Sequence, residues 1–177
     1  MERRKNNWAN HGVTLLEMMI VVAILGIIGA IAAPMFASTD ATRLTAAASV
    51  LAADIDAARA ESIAHSDDTR LIIFDNNDLT WHIVAASDIT TPINLPDSGQ
   101  PYSRTLGNRA LKQLQGVTVD SYSLDAASET DDNKLGFGIY GQTDQTADAT
   151  ITLRSGDSVL TLTVNASTGE VTIGQVN

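Results

Sequence analysis

Residues 12–34 read GVTLLEMMIVVAILGIIGAIAAP, and this stretch decides how the rest of the chain is organised. From Val13 to Ala37 the sequence carries a single ionisable side chain, Glu17. About 20 apolar residues, at about 1.5 Å of helix each, span the hydrocarbon core of a bilayer. The pattern therefore predicts a transmembrane helix over residues 13–37. Pro34 lacks a backbone N–H and predicts a kink where this helix leaves the membrane.

The twelve residues before the apolar stretch, MERRKNNWANHG, form a short basic leader. Arg3, Arg4 and Lys5 outweigh Glu2, and cations beside a membrane helix favour the cytoplasmic side. An ordinary secretory signal has its apolar region before the cleavage point and loses it. Here the leader ends at a glycine ahead of the apolar run, so its removal would leave the helix on the mature chain.

These features resemble the class III signal of type IV pilins and type II secretion pseudopilins. The matching residues are Gly12 at the end of a basic leader, Thr14, Glu17 in the fifth place after that glycine, and Pro34. The resemblance implies that a prepilin peptidase cuts after Gly12 and methylates the new amino terminus at Val13. Phe or Met is commoner than Val at that position of the family. The alternative is a plain single-pass anchor with a stray glutamate.

Glu17 has a physical role once Val13 is an amino terminus. The two residues are four apart, so they lie on one face of a helix. A carboxylate inside an apolar segment costs a few kcal/mol and usually has a partner. The amino-terminal cation could supply it within one chain or between neighbouring subunits. The resemblance implies the pairing between subunits, which assigns Glu17 and Thr14 to filament assembly.

The amino-acid composition limits the kinds of site and partner that this chain can have. The chain has 177 residues and no cysteine, which leaves no disulfide and no thiolate metal site. Residues 38–177 hold 19 acidic and 8 basic side chains, a net charge of −11, and such a surface repels nucleic-acid phosphates. This part of the chain is long enough for one small domain.

Residues 41–66 continue the helical pattern beyond the predicted membrane segment. Asp40 is placed to cap a helix that restarts after Pro34. Apolar and small residues recur at steps of three and four and predict one inner face: Leu44, Ala48, Leu51, Ile55, Ala58 and Ser62. The remaining faces carry charged residues: Arg43, Asp54, Asp56, Arg59 and Glu61.

From Thr69 onward the pattern changes to short segments typical of β-strands. Two hairpins are predicted, over residues 69–86 and 149–165, with turns at 76–78 and 155–157. Further strands are predicted at residues 117–124, 134–141 and 170–174. Residues 87–106 contain three prolines and predict a loop, and the acidic residues 125–134 predict another.

A long helix followed by runs of strands predicts an α+β fold, with a sheet laid on the outer half of the helix. The expected parts are a leader at 1–12, a transmembrane and assembly helix at 13–37, and a periplasmic domain at 38–177 that is helical to about residue 66. The junction at Ala58, Arg59, Glu61 and Ser62, and the glycine-bearing segment FGIYG, resemble FimT/GspH-type pseudopilins. This resemblance implies a pilin-like fold, in which the helix packs on an antiparallel β-sheet domain.

Signals for catalysis or metal binding are weak. His11, His65 and His82 are far apart in the sequence and have no metal-ligand spacing. Acidic clusters at 67–68, 75–78 and 131–133 do not fit the twelve-residue calcium loop, and turn chemistry explains them. The sequence has neither a Gly-x-Ser-x-Gly elbow nor a phosphate loop. We therefore expect no enzymatic activity, no metal and no cofactor.

Nucleic-acid binding is the alternative from a different functional class. Some FimT-like minor pilins bind DNA through basic residues near the C terminus, whereas this chain has Glu170 in the corresponding turn. A basic patch formed in space would favour DNA binding, and its candidate members are Arg104, Arg109, Lys112 and Arg154. The net charge of −11 disfavours DNA binding, because affinity for DNA comes mostly from cations on phosphates.

The sequence thus predicts a minor pseudopilin of a type II secretion-like system. It is expected in the bacterial inner membrane, single-pass, with its C-terminal domain in the periplasm, and later in a filament. Expected partners are the prepilin peptidase, the inner-membrane assembly platform, the membrane, and other pilin-like subunits that bind through the N-terminal helix. Nucleic acid is not expected as a partner. A FimT-like minor pilin of a pilus or competence system is the alternative within the same architecture.

Overall fold

The computed structural model describes residues 14–75, 79–95, 98–124 and 133–177, without the side chains of residues 30–39 and 109. The chain divides into two compact units, Met1–Ser38 and Thr39–Asn177. The predicted turn at 76–78 and most of the predicted loop at 125–134 lie outside the described residues. All buried hydrophobic side chains of the described part lie between Leu44 and Val164, in the second unit.

One helix, α1, covers Leu15–Ala64. It is continuous, so the prediction that Asp40 caps a restarted helix is wrong, because the alanine-rich sequence sustains a helix through this region. Asp40 instead accepts a hydrogen bond from the Ser155 hydroxyl at 3.1 Å. Pro34 lies within the bounds of α1, and its kink stays a prediction because the side chains around it lie outside the described residues.

The predicted inner face of α1 is confirmed. Its six residues are fully buried: Leu44, Ala48, Leu51, Ile55, Ala58 and Ser62. One assignment to the outer faces is wrong, because Asp54 is only 2% exposed. Its position, three residues after Leu51 and four before Ala58, places it at the border of the inner face.

The strands that follow in the described residues are β1 Arg70–Phe74, β2 Thr80–Ala85, β3 Asp88–Pro92, β4 Ser103–Thr105, β5 Val117–Ser123, β6 Lys134–Gly136, β7 Ala149–Ser155, β8 Ser158–Val164 and β9 Val171–Ile173. A 3₁₀ helix, Arg109–Leu114, lies between β4 and β5. The two predicted hairpins are confirmed as β1–β2 and β7–β8. The strands and the long helix confirm the α+β class.

The strands form two antiparallel sheets rather than the single sheet expected from sequence. The first has the order β3-β2-β1-β6, with β4 also paired to β2, and the second has the order β5-β7-β8-β9. The predicted loop at 87–106 is therefore partly wrong, since it contains β3 and β4. Both are short and exposed along much of their length, so no alternation of apolar residues indicates them.

The glycine-bearing segment is a strand only at its start. β6 ends at Gly136, and the predicted strand at 134–141 is wrong beyond that residue. Gly138 donates its N–H to the Gln142 carbonyl and accepts from the N–H of Gly141, which closes a turn. Gly141 has φ of +81°, a conformation that favours glycine. The segment FGIYG thus turns the chain back onto β6.

The outer edge of β6 is covered by side chains of the segment that follows this turn. The Asp144 carboxylate accepts a hydrogen bond from the Gly136 N–H at 3.0 Å, and the Gln145 amide donates to the Lys134 carbonyl at 3.4 Å. These contacts occupy backbone groups that an edge strand otherwise exposes to another chain. A stacked pair of rings, Phe74 and Tyr122, with centroids 5.6 Å apart, joins the two sheets.

Candidate functional site

The predicted N-terminal site residues lie just before, at or just after residue 14, where the described part of the chain begins. Gly12 and Val13, the predicted cleavage and methylation positions, lie outside them. Thr14 precedes α1, and its hydroxyl accepts a hydrogen bond from the Glu17 N–H at 3.2 Å. The sequence Thr-Leu-Leu-Glu therefore places a helix cap at Thr14 with a glutamate three residues later, the spacing of a capping box. Sequence reasoning listed both residues but missed this local relation.

Glu17 lies in the first turn of α1, where the partial positive charge of the helix terminus favours a carboxylate. Its neighbours form an exposed apolar surface: from Leu15 to Ile28 the large apolar side chains are 44–79% exposed. A contiguous apolar surface of this kind marks a site of contact with lipid or protein. Over the residues that the structure describes, no helix has an apolar run long enough to cross a membrane.

In the second unit the most constrained polar group is the Asp54 carboxylate. Trp81 donates its indole N–H to Oδ2 at 2.8 Å, and Tyr102 donates its hydroxyl to Oδ1 at 2.9 Å. The Nε of Arg104 lies 3.3 Å from Oδ2. A buried carboxylate needs donors of this kind, because desolvation without them is costly. The cluster ties the helix to β2 and to the segment around β4.

Arg104 is held in the cluster by charge and by packing rather than by an aligned hydrogen bond. Its Nε–H is buried without a hydrogen-bond acceptor among the described residues, and its guanidinium lies 5.5 Å from the centroid of the Tyr102 ring. Burial and then the negative charge of Asp54 raise the pKa of Tyr102 to about 12. The tyrosine therefore stays neutral and keeps donating to the carboxylate at neutral pH.

The four cations considered for DNA binding do not form a free basic patch in the part of the chain that the structure describes. Arg154 forms two hydrogen bonds with the Asp120 carboxylate, at 2.6 and 2.9 Å, which lower the pKa of Asp120. Arg104 is paired with Asp54. Lys112 is exposed, and the side chain of Arg109 lies outside the described residues.

The described histidines each lie beside one carboxylate. His65 is exposed at the end of α1, with Nδ1 3.1 Å from a Glu61 carboxylate oxygen. His82 is largely buried, with Nδ1 3.5 Å from Asp75 Oδ1. Among the described residues no group of three or more histidine, aspartate and glutamate side chains is arranged to hold a metal ion.

The Asp68 carboxylate illustrates how one of the acidic clusters is used. It accepts hydrogen bonds from the Ser87 N–H at 3.0 Å and from the Ser87 hydroxyl at 2.9 Å, which lower its pKa. Arg70, which follows it at the start of β1, also lies beside it. Asp68 thus anchors the turn between β2 and β3, through a contact that is distant in the sequence rather than through a local turn.

Comparisons with known proteins agree with this arrangement. Residues 9–33 match the family model described as the prokaryotic N-terminal methylation motif. The fold is similar to the crystal structure of the type IV minor pilin FimU from Pseudomonas aeruginosa, with a TM-score of 0.52 and 14% sequence identity. The match covers 75% of this chain and 88% of that one. No curated protein matches the sequence.

Proposed function

We propose that this type IV pilin-like chain is a minor subunit of a periplasmic filament, of the pseudopilus kind used in type II secretion. The observation that supports the proposal is the joint occurrence of two independent features. The methylation motif covers residues 9–33, and the fold over 75% of the chain resembles that of a minor pilin. A motif of this length can occur by itself, but the fold similarity extends over 75% of the chain.

The proposed life cycle follows from the order of segments along the chain. The precursor is held in the inner membrane with its basic leader on the cytoplasmic side. A prepilin peptidase removes residues 1–12 and methylates Val13. The apolar surface of α1 then passes from lipid to the helices of neighbouring subunits, and the second unit remains in the periplasm. The role is structural, without turnover of a substrate.

Glu17 is proposed to pair with the methylated amino terminus of a neighbouring subunit. Its carboxylate is exposed in the single chain, beside the exposed apolar surface that the filament would bury. An unpaired charge in that interior would be strongly destabilising, so pairing fixes the register in which subunits pack. The contact within the chain, at Thr14, uses the N–H of Glu17 and leaves its carboxylate available.

The test is the recovery of variants in filaments sheared from cells. Glu17→Gln should still be inserted and cleaved but should be depleted from the sheared fraction by at least about tenfold, because burying an unpaired cation costs over 1.4 kcal/mol. Asp56→Asn is the matched control, since it neutralises an exposed carboxylate farther along the same helix. Recovery of Glu17→Gln at the control level would contradict the assembly role.

Processing is tested separately by mass spectrometry of the membrane-extracted protein. The expected chain begins at Val13 and carries one methyl group on its amino terminus. An intact leader, or cleavage after the apolar run, would contradict the pilin-like maturation.

A minor pilin of a type IV pilus or competence system is the second candidate, and the fold similarity to FimU favours it as much as the first. Cross-linking in the native cells followed by mass spectrometry distinguishes the two. Secretion pseudopilins and a secreted protein as neighbours would support the secretion filament. A major pilin or competence proteins as neighbours would support the pilus.

A further inference from the structure

An open pocket of about 490 Å³ lies beside β4, between this strand and the 3₁₀ helix. Its polar lining comes from Gln100, Ser103, Arg104, Thr105 and Asn108. Ala110 and two leucines supply much of the apolar lining. The volume is within the range of about 300–1,000 Å³ that is usual for ligand sites.

The charge of this pocket differs from that of the chain as a whole. The chain carries 21 aspartate and glutamate residues, yet none of the described residues that line the pocket is acidic. Among the described lining residues the charged side chain is that of Arg104, which is 34% exposed. Residues with hydroxyl and amide side chains line the pocket together with this cation, so the pocket can receive an anion that also makes neutral hydrogen bonds.

Arg104 keeps donor capacity for such an anion. Asp54 already accepts hydrogen bonds from Trp81 and Tyr102, so its lone pairs do not depend on the guanidinium. The contact between Arg104 and Asp54 joins Nε to Oδ2 at 3.3 Å, and it is not an aligned hydrogen bond. A guanidinium has five N–H donors in a planar fork that matches a carboxylate.

The strand beside the pocket indicates that the anion belongs to an extended polypeptide. Hydrogen bonds of the β2–β4 ladder alternate, with Leu106 N–H bonded to the Leu79 carbonyl and Ile83 N–H to the Tyr102 carbonyl. The backbone groups of Arg104 therefore face β2, and those of Ser103 and Thr105 face away from it. Within the described residues, the Ser103 carbonyl and the Thr105 N–H have no partner on that side. A strand laid along β4 would bond both groups.

We propose that this pocket binds an aspartate or glutamate side chain carried by an extended segment of another protein. The carboxylate lies against the Arg104 guanidinium, and the segment adds to the outer edge of β4. The site contains no residue of the N-terminal methylation motif. The proposal can therefore be tested separately from the proposed filament role.

The test uses the full-length chain, ¹⁵N-labelled in detergent micelles, titrated with the peptide acetyl-Gly-Gly-Glu-Gly-Gly-amide. The matched peptide replaces Glu by Gln. We expect saturable shifts of the backbone amides of Ser103, Thr105 and Asn108 at up to about 10 mM peptide, in the range of weak contacts. The Gln peptide should bind at least about tenfold more weakly, since it lacks the charge-assisted hydrogen bonds.

Two variants assign the binding to the pocket. Arg104→Lys keeps the positive charge but loses the planar guanidinium, and Ala110→Phe introduces a large side chain into the pocket from an exposed position of the 3₁₀ helix, at a residue outside the Asp54 cluster. Each should weaken binding of the Glu peptide at least about tenfold. Arg154→Lys, at an arginine that already pairs with Asp120, should bind as the unmodified chain does.

Several outcomes would overturn the proposal. They are equal binding of the Glu and Gln peptides, unchanged binding in Ala110→Phe, and no shift of these amides over the whole titration. Tighter binding of inorganic phosphate than of the Glu peptide at the same amides would assign the pocket to phosphate instead.

Discussion

A single buried carboxylate, Asp54, organises the polar interior of the second unit. It accepts from two aromatic side chains of different segments and lies beside a guanidinium. The sequence shows Asp54 three residues after Leu51, so helical periodicity alone could have placed it at the border of the inner face. What periodicity could not supply is the three partners of Asp54, two hydrogen-bond donors and one cation, because they come from residues 27 to 50 positions farther along the chain.

Replacing Asp54 should strongly destabilise the fold. Asp54→Ala leaves the indole N–H and the tyrosine hydroxyl without their acceptor and removes the negative charge beside the guanidinium, and we expect the free energy of unfolding to fall by about 3 kcal/mol. Urea denaturation of the Thr39–Asn177 unit, which contains the whole described core, measures it. Asp56→Ala, at an exposed position two residues away, should change stability by no more than about 0.5 kcal/mol. Equal effects of the two substitutions would refute the role of Asp54.

Tyr102 gives the second unit a specific dependence on alkaline pH. Its folded pKa is about 12, above the value of about 10 for an unfolded tyrosine, so the folded state binds the hydroxyl proton more tightly. The stabilisation is complete below about pH 10 and is lost as the pH rises towards about 12. Lysines titrate in the same range, so the diagnostic quantity is the difference between variants.

In Tyr102→Phe the part of the alkaline decline that comes from this hydroxyl should disappear. Urea denaturation of the Thr39–Asn177 unit between pH 9 and 12, in steps of about half a unit, measures the difference. Tyr140→Phe, at a side chain that is 83% exposed, should retain the decline of the unmodified protein, because Tyr102 is unchanged in it. Identical slopes for Tyr102→Phe and the unmodified unit would show that the tyrosine is not held neutral by the fold.

At the scale of the element, β6 depends on a glycine for its edge. A Cβ at Gly136 would lie 2.9 Å from Cγ of Asp144, closer than real Cβ atoms approach such a group. The carboxylate would have to move and would lose the hydrogen bond from the Gly136 N–H. The glycine is therefore needed for the side chain that covers the strand, rather than for its own backbone angle.

Gly136→Ala should accordingly lower the free energy of unfolding by about 2 kcal/mol, the cost of a strained contact and a lost hydrogen bond. A double-mutant cycle with Asp144→Ala separates the causes, because removing the carboxylate removes the clash. In that background the glycine substitution should cost less than half as much, measured by urea denaturation. Additive effects would mean that Gly136 is required for a reason unrelated to Asp144.

The elements differ in how far the sequence predicts them, and the difference has a physical origin. The inner face of α1 and the β7–β8 hairpin follow from local periodicity, which repeats over many residues. β3 and β4 have only five and three residues, in a stretch interrupted by proline, and are defined by their pairing with β2. The capping relation of Thr14 and Glu17 could have been predicted, because its spacing is local in the sequence. It was missed because the apolar residues around it predict a membrane segment.

At the scale of the molecule, the described residues form two sheets where the sequence suggested one. Strand propensity predicts where β5, β7, β8 and β9 lie along the chain. It does not predict that these four strands form a sheet of their own instead of pairing with β1. The pocket beside β4 could not have been predicted from the sequence either. Part of its lining comes from β4, a strand that the local sequence pattern did not indicate. The N-terminal candidates, by contrast, come entirely from a contiguous motif.

The distribution of charge over the whole molecule predicts its behaviour towards DNA. The Thr39–Asn177 unit carries a net charge of −11, and two of its candidate cations are paired with carboxylates. We expect no retardation of a duplex by this unit in a gel at low salt, where electrostatic binding is strongest. Retardation that weakens steeply with added salt would reopen the nucleic-acid function.

Because Trp81 is buried against Asp54, the tryptophan fluorescence of the protein can report on the state of its core. The chain has two tryptophans, and the other, Trp8, lies in the leader that maturation is proposed to remove. A processed chain would then emit from one indole in a water-free environment, with its N–H on a carboxylate. Its fluorescence would lose the contribution of Trp8 and would change again when helix and sheet separate. A single emission spectrum would thus record both the maturation of the subunit and the integrity of its core, without any added label.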